Sequence, residues 1–200
     1  LDLKIVFKYV LSILVFMLCL TVFAEQLSII TSEAGPIEWS QNTILLLALI
    51  AWLAVTIRQR KTGSGSFSFV FSGFFSILSY GVLGRELSWL EVLGVSEHIA
   101  EIIELASIIF AVLILTLLAY IWFKDTDSYK KSLADWFKTS AFFYLLFALF
   151  FVLVGDVFEK KLIPVHEYRL YEEMAELTGY IFLLVAALCE WPLRFLQRKE

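Results

Sequence analysis

The chain has 200 residues, 60% of them hydrophobic, and a formal net charge of −4, with a mean hydropathy of +0.81. Soluble domains run to roughly 45–50% apolar residues, so a water-soluble globule of this size is excluded and lipid must cover part of the surface. Two cysteines do not make a disulfide scaffold, and without a phosphate loop or dinucleotide fingerprint no nucleotide chemistry is indicated and no nucleic-acid partner is expected.

A hydrocarbon core about 30 Å thick takes roughly 20 apolar residues per helical crossing. The apolar runs here are longer than the roughly 10-residue alternating strands of a membrane barrel. The expected fold is therefore all-α: a polytopic membrane protein with a single transmembrane domain over 1–200, about six transmembrane helices, and an interfacial segment after the third.

The first span is predicted over 4–24, where Lys4 and Lys8 precede an apolar stretch. Val22-Phe23-Ala24 resembles a signal-peptidase site, but the segment is taken as a retained span. A polar connection, 25–37, turns at Gly35-Pro36. The second span covers 38–57 and ends in Arg58, Arg60 and Lys61, and 62–66 is a Gly/Ser linker. The third covers 67–83, with Ser64, Ser68, Ser72, Ser76 and Ser79 forming a small-residue stripe suited to close helix packing.

Residues 84–101 are too polar to cross and too apolar for a free loop, so they are expected at the interface as a short helix or a bent helix end. The fourth span covers 102–123, a charged loop fills 124–131, and the fifth span covers 136–157. The sixth begins near Glu172 and reaches about Phe195. Glu190, inside that span, is expected to snorkel or to pair with Arg194 four residues on. Cys19 and Cys189 fall at different depths and are expected as free thiols.

Charge then orients the chain. With the N-terminus in the cytoplasm, twelve of the sixteen Lys and Arg residues lie on the inner side, as the positive-inside rule requires. Both termini are then cytoplasmic, in a bacterial inner membrane. Fourteen of the twenty acids fall on the outer side, where the helix dipole accounts for those that open helices entering from outside, such as Glu38 and Glu172.

Glu86 does not fit that account, because it closes the third span at the end where the dipole opposes an anion. Neighbouring helical residues point about 100° apart, so Arg85 is not an obvious partner. Glu104 sits inside the apolar run 102–118, and a carboxylate at membrane depth is a functional candidate. Glu97, Glu101 and Glu104 share a helix face by their spacing, and His98 and Glu101 stand three apart as a weak metal-ligand pair.

Three segments together resemble a poorly characterised group of bacterial multi-helix inner-membrane proteins: Ser32-Glu33-Ala34-Gly35-Pro36-Ile37-Glu38-Trp39, Gly84-Arg85-Glu86-Leu87-Ser88-Trp89 and Tyr171-Glu172-Glu173-Met174-Ala175-Glu176-Leu177. They match an acidic-x-Gly-x-x-Glu start, a Glu-x-Ser-Trp segment and a Glu-Glu-x-x-Glu opening of the final helix. Leu90-Glu91 stands where that group has Gly-Gln, and its Asn-rich stretch is missing. The resemblance implies that Glu33, Glu38, Arg85, Glu86, Trp89, Glu172, Glu173 and Glu176 matter together, at an outward-facing acidic and aromatic pocket.

Such a pocket would bind a cation or a lipid-type headgroup, with membrane lipids as partners. One alternative is a metal-dependent membrane-embedded hydrolase resembling the alkaline ceramidase superfamily. Two His in the whole chain count against that family's three. The other is a non-catalytic subunit or sensor whose partner is another membrane protein. The sequence assigns no cofactor.

Overall fold

The computed structural model describes residues 36–62, 66–86, 96–124, 126–163, 165 and 168–190. The predicted first span, the serine at 64, and the expectations for Cys19, Glu33 and Trp89 lie outside them. The described residues form six α-helices and no strands. They are α1 (Pro36–Thr62), α2 (Ser66–Glu86), α3 (Glu97–Lys124), α4 (Thr126–Trp136), α5 (Ser140–Glu159) and α6 (Tyr168–Glu190). Four of these helices, α1, α2, α3 and α5, are long and apolar enough to cross a membrane.

Two elements differ from expectation. α3 begins at Glu97, five residues ahead of the predicted start, so Glu97, His98 and Glu101 belong to its first turns. The charged stretch expected to be a loop over 124–131 is largely helical, as part of α4. Its physical reason is an apolar stripe: Tyr129, Leu133 and Trp136 recur at four and three residues and share one face. Tyr129 is buried, stacked on Trp122 with ring centroids 4.5 Å apart, and its hydroxyl donates to Ile121 O at 3.4 Å.

The chain divides into two compact units, Leu1–Ile44 with Thr139–Ala186, and Leu45–Lys138 with Ala187–Glu200. In the first unit α5 packs on α6. Thr139 caps α5, accepting from Phe142 N at 3.4 Å, and Ala141, Tyr144, Ala148 and Gly155 give α5 one buried face. Phe182 on α6 receives Tyr144, Phe147 and Phe151, with centroids 5.4–6.1 Å away. The backbones come close at two glycines. A Cβ on Gly179 would lie 3.0 Å from Ala148 O and 2.9 Å from Val152 Cγ2, and one on Gly155 would lie 2.9 Å from Glu176 Cγ. Small residues at such positions are how helices approach closely in lipid, where no hydrophobic effect drives them together.

At its C-terminus α5 ends with Lys161 in the left-handed region at φ 53°. Lys161 N donates to Phe158 O at 2.9 Å and Leu162 N to Val157 O at 3.1 Å, the paired bonds of a Schellman ending that glycine usually supplies.

In the second unit Leu45, Ala48, Trp52 and Val55 make the buried face of α1, and Trp52 stacks on Phe75 of α2 at 4.9 Å. The serine stripe is the seam of α2. Ser72, Ser76 and Ser79 are buried and donate to the carbonyls of Ser68, Ser72 and Phe75 at 2.8–2.9 Å. Thr56 Oγ1 meets Ser76 Oγ at 3.2 Å. Gly73 lets Leu118 of α3 come within 3.1 Å of where a Cβ would stand. Only 6% of the apolar window of α3 is buried, against 28–39% for the other three long helices. Its sides therefore present Leu113, Leu117 and Tyr120 outward, and the exposed Thr116 donates to its own Val112 O at 2.8 Å, so its hydroxyl asks for no polar neighbour.

Candidate functional site

The residues singled out from sequence fall into the two units. In the second, α2 ends on Arg85 and Glu86. The arginine folds back on its neighbour, Nη2 and Nε donating to Glu86 Oε1 at 2.9 and 3.2 Å. The 100° offset between adjacent side chains is spanned by the reach of Arg at a helix end, and the pair offsets the unfavourable position of the Glu86 anion.

Beside this pair, α2 and α3 part to leave a groove of about 250 Å³, lined by Tyr80, Gly81, Gly84, Arg85, Glu104, Ser107, Ile108 and Ala111. Both glycines border open space, since a Cβ on either Gly81 or Gly84 would meet nothing within 4 Å. Tyr80 is held edge-on to Phe110 at 6.2 Å. Glu104 is exposed on the groove and has no ion-pair partner among the described residues. Arg85 is engaged by Glu86, so the groove offers one uncompensated carboxylate beside an aromatic ring, over apolar walls.

In the first unit, the opening turns of α6 carry the other acids. Glu172 and Glu173 are half-buried and Glu176 is buried. Arg169 Nε stands 3.9 Å from Glu173 Oε1. Glu38, in the first turn of α1, is half-buried. The fully buried Gln41 ties α1 to α6 through Nε2, which donates to Glu173 O at 3.0 Å, and its Oε1 has no partner among the described residues. Leu170, Met174 and Leu177 pack beneath with Ile37 and Ile44.

His98 Nδ1 lies 3.9 Å from Glu101 Oε2, both largely exposed. Among the described residues no three His, Cys, Asp or Glu side chains gather as metal ligands, so this pair remains a two-donor contact. Glu190 takes a partner that sequence spacing did not suggest: Trp136 Nε1 donates to its Oε1 at 3.1 Å, while Arg194 lies outside the described residues. Cys189 is a free, exposed thiol.

Glu104 was legible as a misfit carboxylate in an apolar run. Tyr80, Gly81, Gly84 and Ser107 were not, because nothing in a sequence marks where two helices splay. Comparison with family models, curated proteins and solved structures finds no match, and the family resemblance rests on its three segments alone.

Proposed function

We propose that this chain is an integral membrane protein that binds the ammonium end of a lipid headgroup in the groove between α2 and α3. The carrying observation is Glu104, a carboxylate without an ion-pair partner among the described residues, on a 250 Å³ groove that also holds the Tyr80 ring. A carboxylate beside an aromatic face suits a cation. The apolar walls, Ile108 and Ala111, suit the chain that follows it, and the guanidinium of Arg85, also in the lining, suits the phosphate. α3, exposed along its length, already lies against lipid in this reading.

In the same reading the chain crosses a bacterial inner membrane six times. The segment before α1 and α6 make the first and last crossings, both termini are cytoplasmic, and the groove opens outward. Glu38, Glu172, Glu173 and Glu176 then lie on an acidic outer face that raises the cation concentration at the membrane surface.

The test is native mass spectrometry of the protein released from nanodiscs of phosphatidylethanolamine, phosphatidylcholine or phosphatidylglycerol. Retention of the two ammonium lipids above the anionic one is expected, with Glu104→Gln lowering that retention about 5- to 10-fold, as loss of an interaction worth roughly 1–1.4 kcal/mol requires. Equal retention of the anionic lipid, or no response to Glu104→Gln, refutes the reading.

A further inference from the structure

A second polar site lies in the same unit, walled by α1, α2, α4 and the end of α6. It is a cavity of about 20 Å³ whose lining includes Trp52, Gln59, Ser68, Ser72, Trp136 and Glu190. Trp52 is fully buried, yet its Nε1–H has no hydrogen-bond partner among the described residues. An indole N–H is a donor only, and leaving it unpaired costs about 1–3 kcal/mol.

Ser72, also buried, already gives its proton to Ser68 O at 2.8 Å, so it can only accept. Glu190 receives Trp136 Nε1–H on Oε1 at 3.1 Å, and Oε2 is left to accept as well. Trp52, Ser72 and Glu190 therefore bring one donor and two acceptors to a space larger than the roughly 10–15 Å³ a single water needs, and a buried water typically makes about three hydrogen bonds. A metal cation would be opposed by the indole N–H, and an anion by the carboxylate, so the chemistry selects a neutral molecule that both donates and accepts.

We propose that one water molecule occupies this cavity, accepting from Trp52 Nε1–H and donating to Ser72 Oγ and Glu190 Oε2, and that Glu190 exchanges its proton through it. Each of these three atoms then has its complement. Among the described residues the carboxyl is the one titratable group in the lining. Of the titratable and charged residues on the elements that wall the site, Cys189 adjoins it on its own helix, Arg58 adjoins the lining residue Gln59 in the chain, and Tyr129, Asp135 and Lys138 belong to α4 or its end, with Lys138 paired to Asp135 at 3.1 Å, while the polar lining from α2 is Ser68 and Ser72. An ionisable residue reached by water at this depth is the arrangement from which membrane proton relays are built.

The experiment is pH-difference infrared spectroscopy of the full chain in nanodiscs, recorded in ordinary and in oxygen-18 water. The carboxyl band that appears as pH is lowered is assigned to Glu190 by its loss in Glu190→Gln. A water O–H band that shifts in oxygen-18 water should accompany it in the wild type and be lost in both Glu190→Gln and Ser72→Ala. The second substitution removes one hydroxyl and leaves the Trp52–Phe75 stack in place. Absence of any oxygen-18-sensitive band, or its persistence unchanged in the two variants, overturns the proposal.

Discussion

The approach of α5 to α6 at Gly179 supports a quantitative test. Alanine there places a Cβ 2.9 Å from Val152 Cγ2, inside the separation at which real Cβ atoms are found, and 3.0 Å from Ala148 O, at the tight end of that separation. Val152 can turn its methyl aside, but Ala148 O is backbone and cannot move without its helix. The helices must part by a few tenths of an ångström, and the Phe182 cluster with Tyr144, Phe147 and Phe151 parts with them. Overpacking of this kind costs about 1–3 kcal/mol, against roughly 0.8–1 kcal/mol gained when alanine replaces glycine within a helix. Because the obstacle is backbone, the upper part of that range applies and Gly179→Ala is destabilising by about 1–2 kcal/mol.

For a chain of this size each kcal/mol moves the thermal midpoint by roughly 2–4 °C, so a fall of about 2–8 °C is expected by far-UV circular dichroism in one detergent at one scan rate. Gly81→Ala is the control. It is also helical, but nothing lies within 4 Å of its added Cβ, so the helix gain stands unopposed and the midpoint rises by about 2–4 °C. A Gly179→Ala protein as stable as Gly81→Ala would refute the argument from close approach.

Two further expectations concern the end of α5. Lys161 holds a left-handed backbone that costs a non-glycine residue about 1–2 kcal/mol, and its Nζ lies 4.5 Å over the Tyr168 ring. Lys161→Ala loses the ring contact and keeps the strain, while Lys161→Gly loses both, so the glycine variant should melt above the alanine variant by the equivalent of about 1 kcal/mol. Next to it, the Asp156 carboxylate, hydrogen-bonded at 2.6 Å, holds the Lys160 ammonium above its ordinary 10.5. The pair's contribution is thus present below pH 10.5 and is lost as pH rises through the raised value. Alkaline titration by NMR of the dimethylated lysine should show a later midpoint than in Asp156→Asn, and identical midpoints would remove the pair from the account.

The four long apolar helices were legible because their signal is local: twenty apolar residues in a row need no knowledge of neighbours. α4 was missed because Lys124, Asp125, Asp127, Lys130 and Lys131 outweigh Tyr129, Leu133 and Trp136 when charge is read before periodicity. The Trp136–Glu190 bond joins residues 54 apart in the chain, and such pairings carry no local signature. Gly155 and Gly179 look like any other glycines until their partners are known, whereas Gly81 and Gly84 matter for the opposite reason, the room beside them. At the candidate site, sequence supplied the carboxylates and the Arg85 that would touch a ligand, and packing alone supplied the groove.

The serine seam of α2 bears on how such a chain is built. Ser72, Ser76 and Ser79 give their protons to their own helix, so each hydroxyl donor is already satisfied before any neighbour arrives. A helix of this kind can leave the insertion machinery and wait alone in lipid without an orphaned donor along that face. Adhesion to α1 then comes from fit, including the Trp52–Phe75 stack, and from the Thr56–Ser76 contact. The order in which the two helices enter the membrane is therefore not fixed by hydrogen bonding, and a late partner finds the seam in the same state as an early one.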